Sequence, residues 1–166
     1  ACALQLDMSE PSRFPAFADS VKAALQETWN RSSLDHLVNN AGEGINVPLA
    51  EIREAQFVTL FSVHVKGPLF LTQALLPLIA DGGRIVNISS GLTRFTYPGY
   101  GAYAAAKGAV EVLTRYMAKE LGPRGISVNT VAPGAVETDF GGGAVRDTPG
   151  LNQQIAAITA LGRVGL

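Results

Sequence analysis

Tyr103 and Lys107 stand four residues apart in a stretch rich in alanine (Ala102, Ala104, Ala105, Ala106, Ala109). On a helix that spacing puts phenol and ammonium on one face. A free phenol titrates near ~10, too high to shuttle protons at neutral pH. A nearby cation favours the phenolate and brings that value down, which is what a tyrosine acid/base requires. Ser90, thirteen positions before the tyrosine, ends an apolar segment, and its hydroxyl can bond the same substrate oxygen. The alanine surface around the pair suits close approach of a cofactor or another helix better than a solvated face.

These residues need a frame, and the periodicities supply one. Ala1 to Leu6 reads as a buried strand ending at Asp7. Phe14, Phe17, Val21, Ala24 and Leu25 recur at helical spacing, predicting a helix to Trp29 with Ser12 as N-cap and Pro15 in its first turn. Leu34 to Val38 is a second strand. Glu51 to Ile79 is a long helical pattern, bent near Gly67-Pro68 where proline removes a ladder bond. Asp81-Gly82-Gly83 turns the chain into a third strand, Arg84 to Ser89. Ala102 to Leu121 is helical, halted by Gly122-Pro123, and Ile126 to Val131 is a fourth strand. Gly141-Gly142-Gly143 to Pro149 reads as a mobile loop.

Strands alternating with helices predict βαβ units on a parallel sheet, here a Rossmann-like doubly wound α/β fold of three α/β/α layers in a single domain. Ligands of such sheets lie beyond the carboxyl ends of the strands. Those ends carry Asp7-Met8, Asn39-Asn40-Ala41-Gly42, Ser89-Ser90-Gly91, and Pro133-Gly134 followed by Thr138. Small polar turns are common after any strand. It is the Ser90, Tyr103 and Lys107 group that lifts these above the ordinary.

Composition closes off other classes. With 166 residues, 47% of them apolar and 16% charged, the chain is long enough for a real core and too apolar for disorder. Thirteen basic against 14 acidic residues give net −1, no footprint for nucleic acid or anionic lipid. One cysteine, Cys2, makes no internal disulfide, so a reducing cytoplasm is the expected compartment. No apolar run reaches membrane-spanning length, and no metal-ligating cluster is present. His36 reads as a surface residue.

Asn39-Asn40-Ala41-Gly42, Asn87-Ile88-Ser89-Ser90, Tyr103-x-x-x-Lys107 and Pro133-Gly134-x-x-x-Thr138 stand together in one order over nearly the whole chain. In this the sequence resembles the short-chain dehydrogenases/reductases, the family of 3-oxoacyl-carrier-protein reductases and glucose dehydrogenases. The resemblance implies an NAD(P)-dependent oxidoreductase moving a hydride between nicotinamide and a carbonyl or secondary alcohol. Tyr103 would be the general acid/base. Lys107 would bind the nicotinamide ribose and depress the tyrosine's pKa, and Ser90 would orient the carbonyl. Asp7 and Met8 would contact adenine. Asn40, Ala41 and Gly42 would line the adenosine ribose and fix the central strand. Pro133 and Gly134 would lead to Val136 and Thr138 beside the carboxamide, with 137–162 a substrate lid. It also implies contact between subunits through long helices, with Val58, Leu60, Phe61, Ala109, Val110 and Leu113 as the apolar surface of a homotetramer or dimer.

Two departures qualify the match. The family's fourth catalytic residue is an asparagine in an Asn-Val-Lys-Gly context, which here reads His64-Val65-Lys66-Gly67. His64 either holds a relay water or is a buried histidine with a backbone partner. The glycine-rich turn Gly-x-x-x-Gly-x-Gly is missing, and with it the residue that selects NAD or NADP. In the family's strand order, 3-2-1-4-5-6-7, the strands present are 3, 4, 5 and 6, so the first should find no neighbour. The chain therefore reads as part of a longer protein. A catalytically weak binding or scaffold relative is the alternative, against which the intact Ser90, Tyr103 and Lys107 weigh. A serine hydrolase is excluded because Asn87 stands where the first glycine of Gly-x-Ser-x-Gly belongs.

Overall fold

A computed structural model describes all residues, 1–166. Three strands, β1 (Leu34–Asn39), β2 (Ile79–Ile88) and β3 (Ser127–Val131), form one parallel sheet in the order β1-β2-β3. The register sets Asn39 beside Asn87 and Asn87 beside Thr130, so the three carboxyl ends finish level. Between Ile79 and Arg84 the β2 ladder is interrupted. The expected turn lies there, as a bulge around Gly82 at φ +75.

The helices follow from local chemistry. α1 (Phe14–Trp29) ends on Asn30 in the left-handed conformation, φ +50, whose N–H reaches Gln26 O at 3.1 Å. A short 3₁₀ turn, Pro11–Arg13, leads into it, so Ser12 lies inside that turn and is not the N-cap. The long helical pattern from Glu51 is divided. α2 (Glu54–Phe61) passes through a π-turn, Ser62–Lys66, into α3 (Gly67–Leu75), and Ile79 already belongs to β2. Pro68 has no N–H to give the ladder, and Gly67 N–H bonds Ser62 O, five residues back. α4 (Gly101–Leu121) runs as expected to Gly122-Pro123. Beyond β3 the glycine-rich stretch is built into structure, a 3₁₀ turn followed by α5 (Ala144–Asp147) and α6 (Pro149–Ala157). Gly141, Gly142 and Gly143 all take positive φ, +62 to +77, to make that turn.

The core lies between the sheet and one helical layer. Ile79, Ile85, Ile126 and Val128 pack against Met117 of α4, while Met8 and Phe14 pack against Leu71 and Leu75 of α3. Leu37 touches both groups. Strand alternation sends Val38 and Val131 to the opposite face, where they are 58% and 49% exposed. Of three layers, the chain itself builds the sheet and the helices on one side.

Ala1 to Leu6 is not a strand. The segment pairs with nothing and is largely exposed, and an open cavity of about 930 Å³ separates Leu4–Ser9 from Ala41–Glu43. A strand needs a neighbour for its ladder bonds, and none lies beside this one.

Candidate active site

The strand ends and the start of α4 converge. Ser89 N–H bonds Val131 O at 2.7 Å and Gly91 N–H bonds Pro133 O at 2.8 Å, joining the loops after β2 and β3. Lys107, on the second turn of α4, reaches across to the end of β2 and donates to Ile88 O at 2.8 Å. One turn earlier, Tyr103 is 6% exposed, and beside it lies the ring of His64, 5.3 Å away edge-on. Ser90 caps the 3₁₀ turn Gly91–Thr93, its Oγ accepting from Leu92 N–H at 3.2 Å. All four expected catalytic residues are thus buried in one place.

Their electrostatics differ from the simplest expectation. Burial pushes the Tyr103 phenol up, against a hydrogen bond from Ser90 that draws it down. Lys107 does not deliver the expected lowering. Its Nζ is committed to the Ile88 carbonyl and lies 5.7 Å from the tyrosine ring centroid. Burial brings Lys107 itself down to about 8, so it remains mostly charged at neutral pH. One of its three N–H donors is spent on Ile88, and two remain.

His64 sits in the π-turn, 1% exposed, with Nε2 2.8 Å from Glu43 O. That contact requires the proton on Nε2 and leaves Nδ1 a buried acceptor without a partner. Burial, with Lys107 adding, brings the imidazole down to about 4, so it is neutral. Of the two sequence readings, the structure shows the backbone partner, on Nε2, while Nδ1 has none. Gly42 explains how chain and ring come so close. A Cβ there would meet His64 Cε1 at 2.7 Å and Lys107 Nζ at 3.7 Å.

The other expected residues divide into two groups. Asp7, Met8, Ala41 and Gly42 line the 930 Å³ cavity. The Asp7 carboxylate accepts from Ser9 N–H and Oγ at 2.8 and 2.7 Å, which holds it low. Pro133, Gly134, Val136 and Thr138 lie on the β3 side, where Val136 pairs with Gly165 and Gly165 N–H bonds Ala135 O at 2.9 Å. The stretch 137–162 thus leaves and returns at one point. Asn40 is exposed. The strand-fixing residue is its neighbour Asn39, whose Nδ2 bonds Asn87 Oδ1 at 2.8 Å and Thr72 Oγ1 at 3.2 Å. Asn87 in turn donates to Thr114 Oγ1 at 2.8 Å, tying sheet to α4.

One residue went unnoticed in the sequence. Glu111, one turn beyond Lys107, accepts at Oε1 from Ser89 Oγ and Thr93 Oγ1, both at 2.8 Å. Thr93 Oγ1 also lies 2.9 Å from Ser90 O. The residues flanking Ser90 are therefore held by one carboxylate, which these hydroxyls and Arg94 keep low despite burial. Only i,i+4 spacing from Lys107 hinted at it.

Comparison with known proteins places this site. A profile described as enoyl-(acyl carrier protein) reductase matches residues 1–166. An NADPH-dependent aldehyde reductase-like chloroplastic protein of Arabidopsis thaliana is 36% identical over 99% of the chain and 60% of its own length. A sorbitol dehydrogenase of Cereibacter sphaeroides is 34% identical over 99% and 66%. Among solved structures, the angucycline C-6 ketoreductase LanV with bound NADP superposes with TM-score 0.91 at 32% identity, covering 99% of this chain and 63% of that one. The promiscuous reductase LugOII, a keto-reduction enzyme of lugdunomycin biosynthesis, gives 0.87 at 39% identity, covering 96% and 62%. The Rossmann-like α/β class is therefore as the sequence predicted, and the chain spans about 60% of the length of the relatives it matches.

Proposed function

Because this chain belongs to the short-chain dehydrogenase/reductase family, we propose that it serves an NAD(P)-dependent oxidoreductase acting on a carbonyl or secondary alcohol. The observation that carries the reading is the burial of Ser90, Tyr103 and Lys107 together at the carboxyl end of the sheet. Relatives described as NADPH-dependent, or solved with NADP bound, support the cofactor.

The residues present fit such a cofactor. Lys107 keeps two N–H donors for a pair of ribose hydroxyls, and Gly42 leaves its backbone open beside them. Asp7, Met8 and Ala41 line the cavity on that side, and Val136 and Thr138 flank the site from β3. No glycine-rich turn stands among these residues to hold a pyrophosphate. When bound, the cofactor supplies or accepts the hydride.

The chain's own work is orientation and the proton. Tyr103 Oη and Ser90 Oγ hold the substrate oxygen between them. Tyr103, kept protonated by its burial, gives its proton to that oxygen in reduction and recovers it in oxidation. Lys107, through its two remaining N–H donors, orients the nicotinamide ribose beside Tyr103. The free Nδ1 of His64 accepts a hydrogen bond from a water on the Lys107 side, a route for reprotonation. Glu111 holds Ser90 in place from behind, and 137–162 closes over the substrate.

The same reading extends to a cytoplasmic homotetramer. No helix is long and apolar enough to cross a membrane. Leu60 and Val110, expected at the subunit contact, are instead buried in the core. The apolar surface left on α2 and α4 is Phe57, Val58, Val112 and Tyr116, each more than 40% exposed. The reading is tested by following reduced-nicotinamide absorbance in the full-length protein with NADH or NADPH and a panel of ketones and aldehydes. Cofactor oxidation that depends on a carbonyl supports it, and none with any member refutes it.

A further inference from the structure

Tyr100 and Phe140 pack against the Tyr103 ring, Tyr97 against Tyr100 and Phe95 beside Gly91, more aromatic surface than the proton chemistry uses. The Tyr100 ring is 6.1 Å from Tyr103 edge-on, Tyr97 is 6.1 Å from Tyr100, and Phe140 is 5.8 Å from Tyr103. Phe95 lies against Gly91, next to Ser90, where a Cβ would meet its ring at 2.7 Å. These spacings fall in the range at which rings attract one another. Phe95, Tyr97 and Phe140 still leave 53%, 47% and 43% of their surface uncovered.

Their placement is fixed by one short segment. Gly44 carries Phe140 so closely that a Cβ would lie 2.7 Å from its ring. Two and three residues on, Asn46 Nδ2 donates to Pro98 O at 3.1 Å and Val47 N–H to Gly99 O at 2.9 Å, holding the loop of Tyr97. Residues 44–47 therefore anchor both an aromatic residue from the lid and an aromatic loop preceding α4. Of the arginines nearby, Arg146 is bound by Asp139 and Asp147, and Arg94 faces Glu111 at 3.9 Å.

Resting on the carbonyl-reductase reading, we infer that the substrate is an aryl ketone, a flat ring system carrying its carbonyl on or beside the ring. Its plane lies against Phe140 and Tyr97, which brings the oxygen to Tyr103 and Ser90. In reduction a hydride from the reduced nicotinamide adds to the carbonyl carbon and the Tyr103 proton to the oxygen. The products are an aryl carbinol and the oxidised cofactor.

The test compares 1-tetralone with cyclohexanone in the full-length protein and in Phe140→Leu and Tyr97→Leu, which keep apolar bulk and remove only the rings. Turnover is followed by reduced-nicotinamide absorbance and binding by saturation-transfer NMR. The expected result is a kcat/KM for tetralone at least ~10-fold above cyclohexanone, with each leucine variant losing most of that preference, as ring–ring contacts of ordinary strength give. Equal use of the two ketones, or a preference that survives both variants, overturns the inference and leaves the reductase reading standing. Tetralone binding that the leucine variants lose, with no ketone turned over, supports the aromatic site and overturns the reductase reading instead.

Discussion

Replacing Lys107 by methionine separates the cost of burying a charge from the use made of it. The ammonium is held at about 8 against an ordinary 10.5 because it is buried. At about 1.4 kcal/mol per pH unit, keeping it charged in the folded state costs about 3 kcal/mol. Methionine of similar length removes that cost but strips the Ile88 carbonyl of its donor, a loss of roughly 1–3 kcal/mol. The two nearly cancel, so Lys107→Met should unfold in denaturant at pH 7 with unchanged stability, or up to ~2 kcal/mol more. Turnover should fall by about 10² or more, since the donors that position the nicotinamide ribose beside Tyr103 are gone.

The pH dependence adds a second reading of the same variant. A base whose folded value lies below its unfolded one binds fewer protons when folded. Wild-type stability therefore rises with pH between about 8 and 10.5 relative to the methionine variant. Equilibrium unfolding at a series of pH values measures the difference. A variant less stable than wild type by more than ~2 kcal/mol would make the ammonium a net structural peg, and this reasoning would be wrong.

Two further outcomes follow from the site. His64, neutral with its value near 4 against 6.5 unfolded, makes the folded protein lose stability as pH falls through that window; His64→Asn should flatten this acid limb, and an unchanged limb in thermal melts would show that another group is responsible. Glu111→Ala frees Ser89 and Thr93 and should lower kcat ~10-fold with little change in KM, the cost of a misplaced Ser90, while Glu111→Gln, which retains the acceptor oxygen, restores most of it; equal losses in both variants would remove the positioning role.

What the sequence made legible was local. The spacing of Phe14, Val21 and Leu25 marked α1, and the run Ile126–Val131 marked β3 to within a residue. Tyr103 and Lys107 fell together because four helical residues make one turn, and Ser90 joined them because parallel strands end level. The misses are non-local. Ala1–Leu6 has strand composition, and the expected lack of a neighbour holds, but without ladder bonds no strand forms. Asn39 and Asn40 look alike in sequence, and only strand alternation decides which turns inward to Asn87. Leu60 and Val110 read as surplus apolar surface until their burial showed them to be core. Lys107 was expected to pull the phenol down, but where its Nζ points is set by Ile88 on another element. Glu111 carried no motif at all, because its importance depends on which hydroxyls the β2 loop presents to it.

The central claim is that Tyr103 gives and takes the proton while the cofactor moves the hydride. Tyr103→Phe tests it most directly, because it keeps the ring against His64 and Phe140 and removes only the hydroxyl. Carbonyl-dependent oxidation of the reduced nicotinamide, measured in the full-length protein, should fall by at least ~10²-fold with the fold intact by circular dichroism. Turnover within a few-fold of wild type would contradict the account.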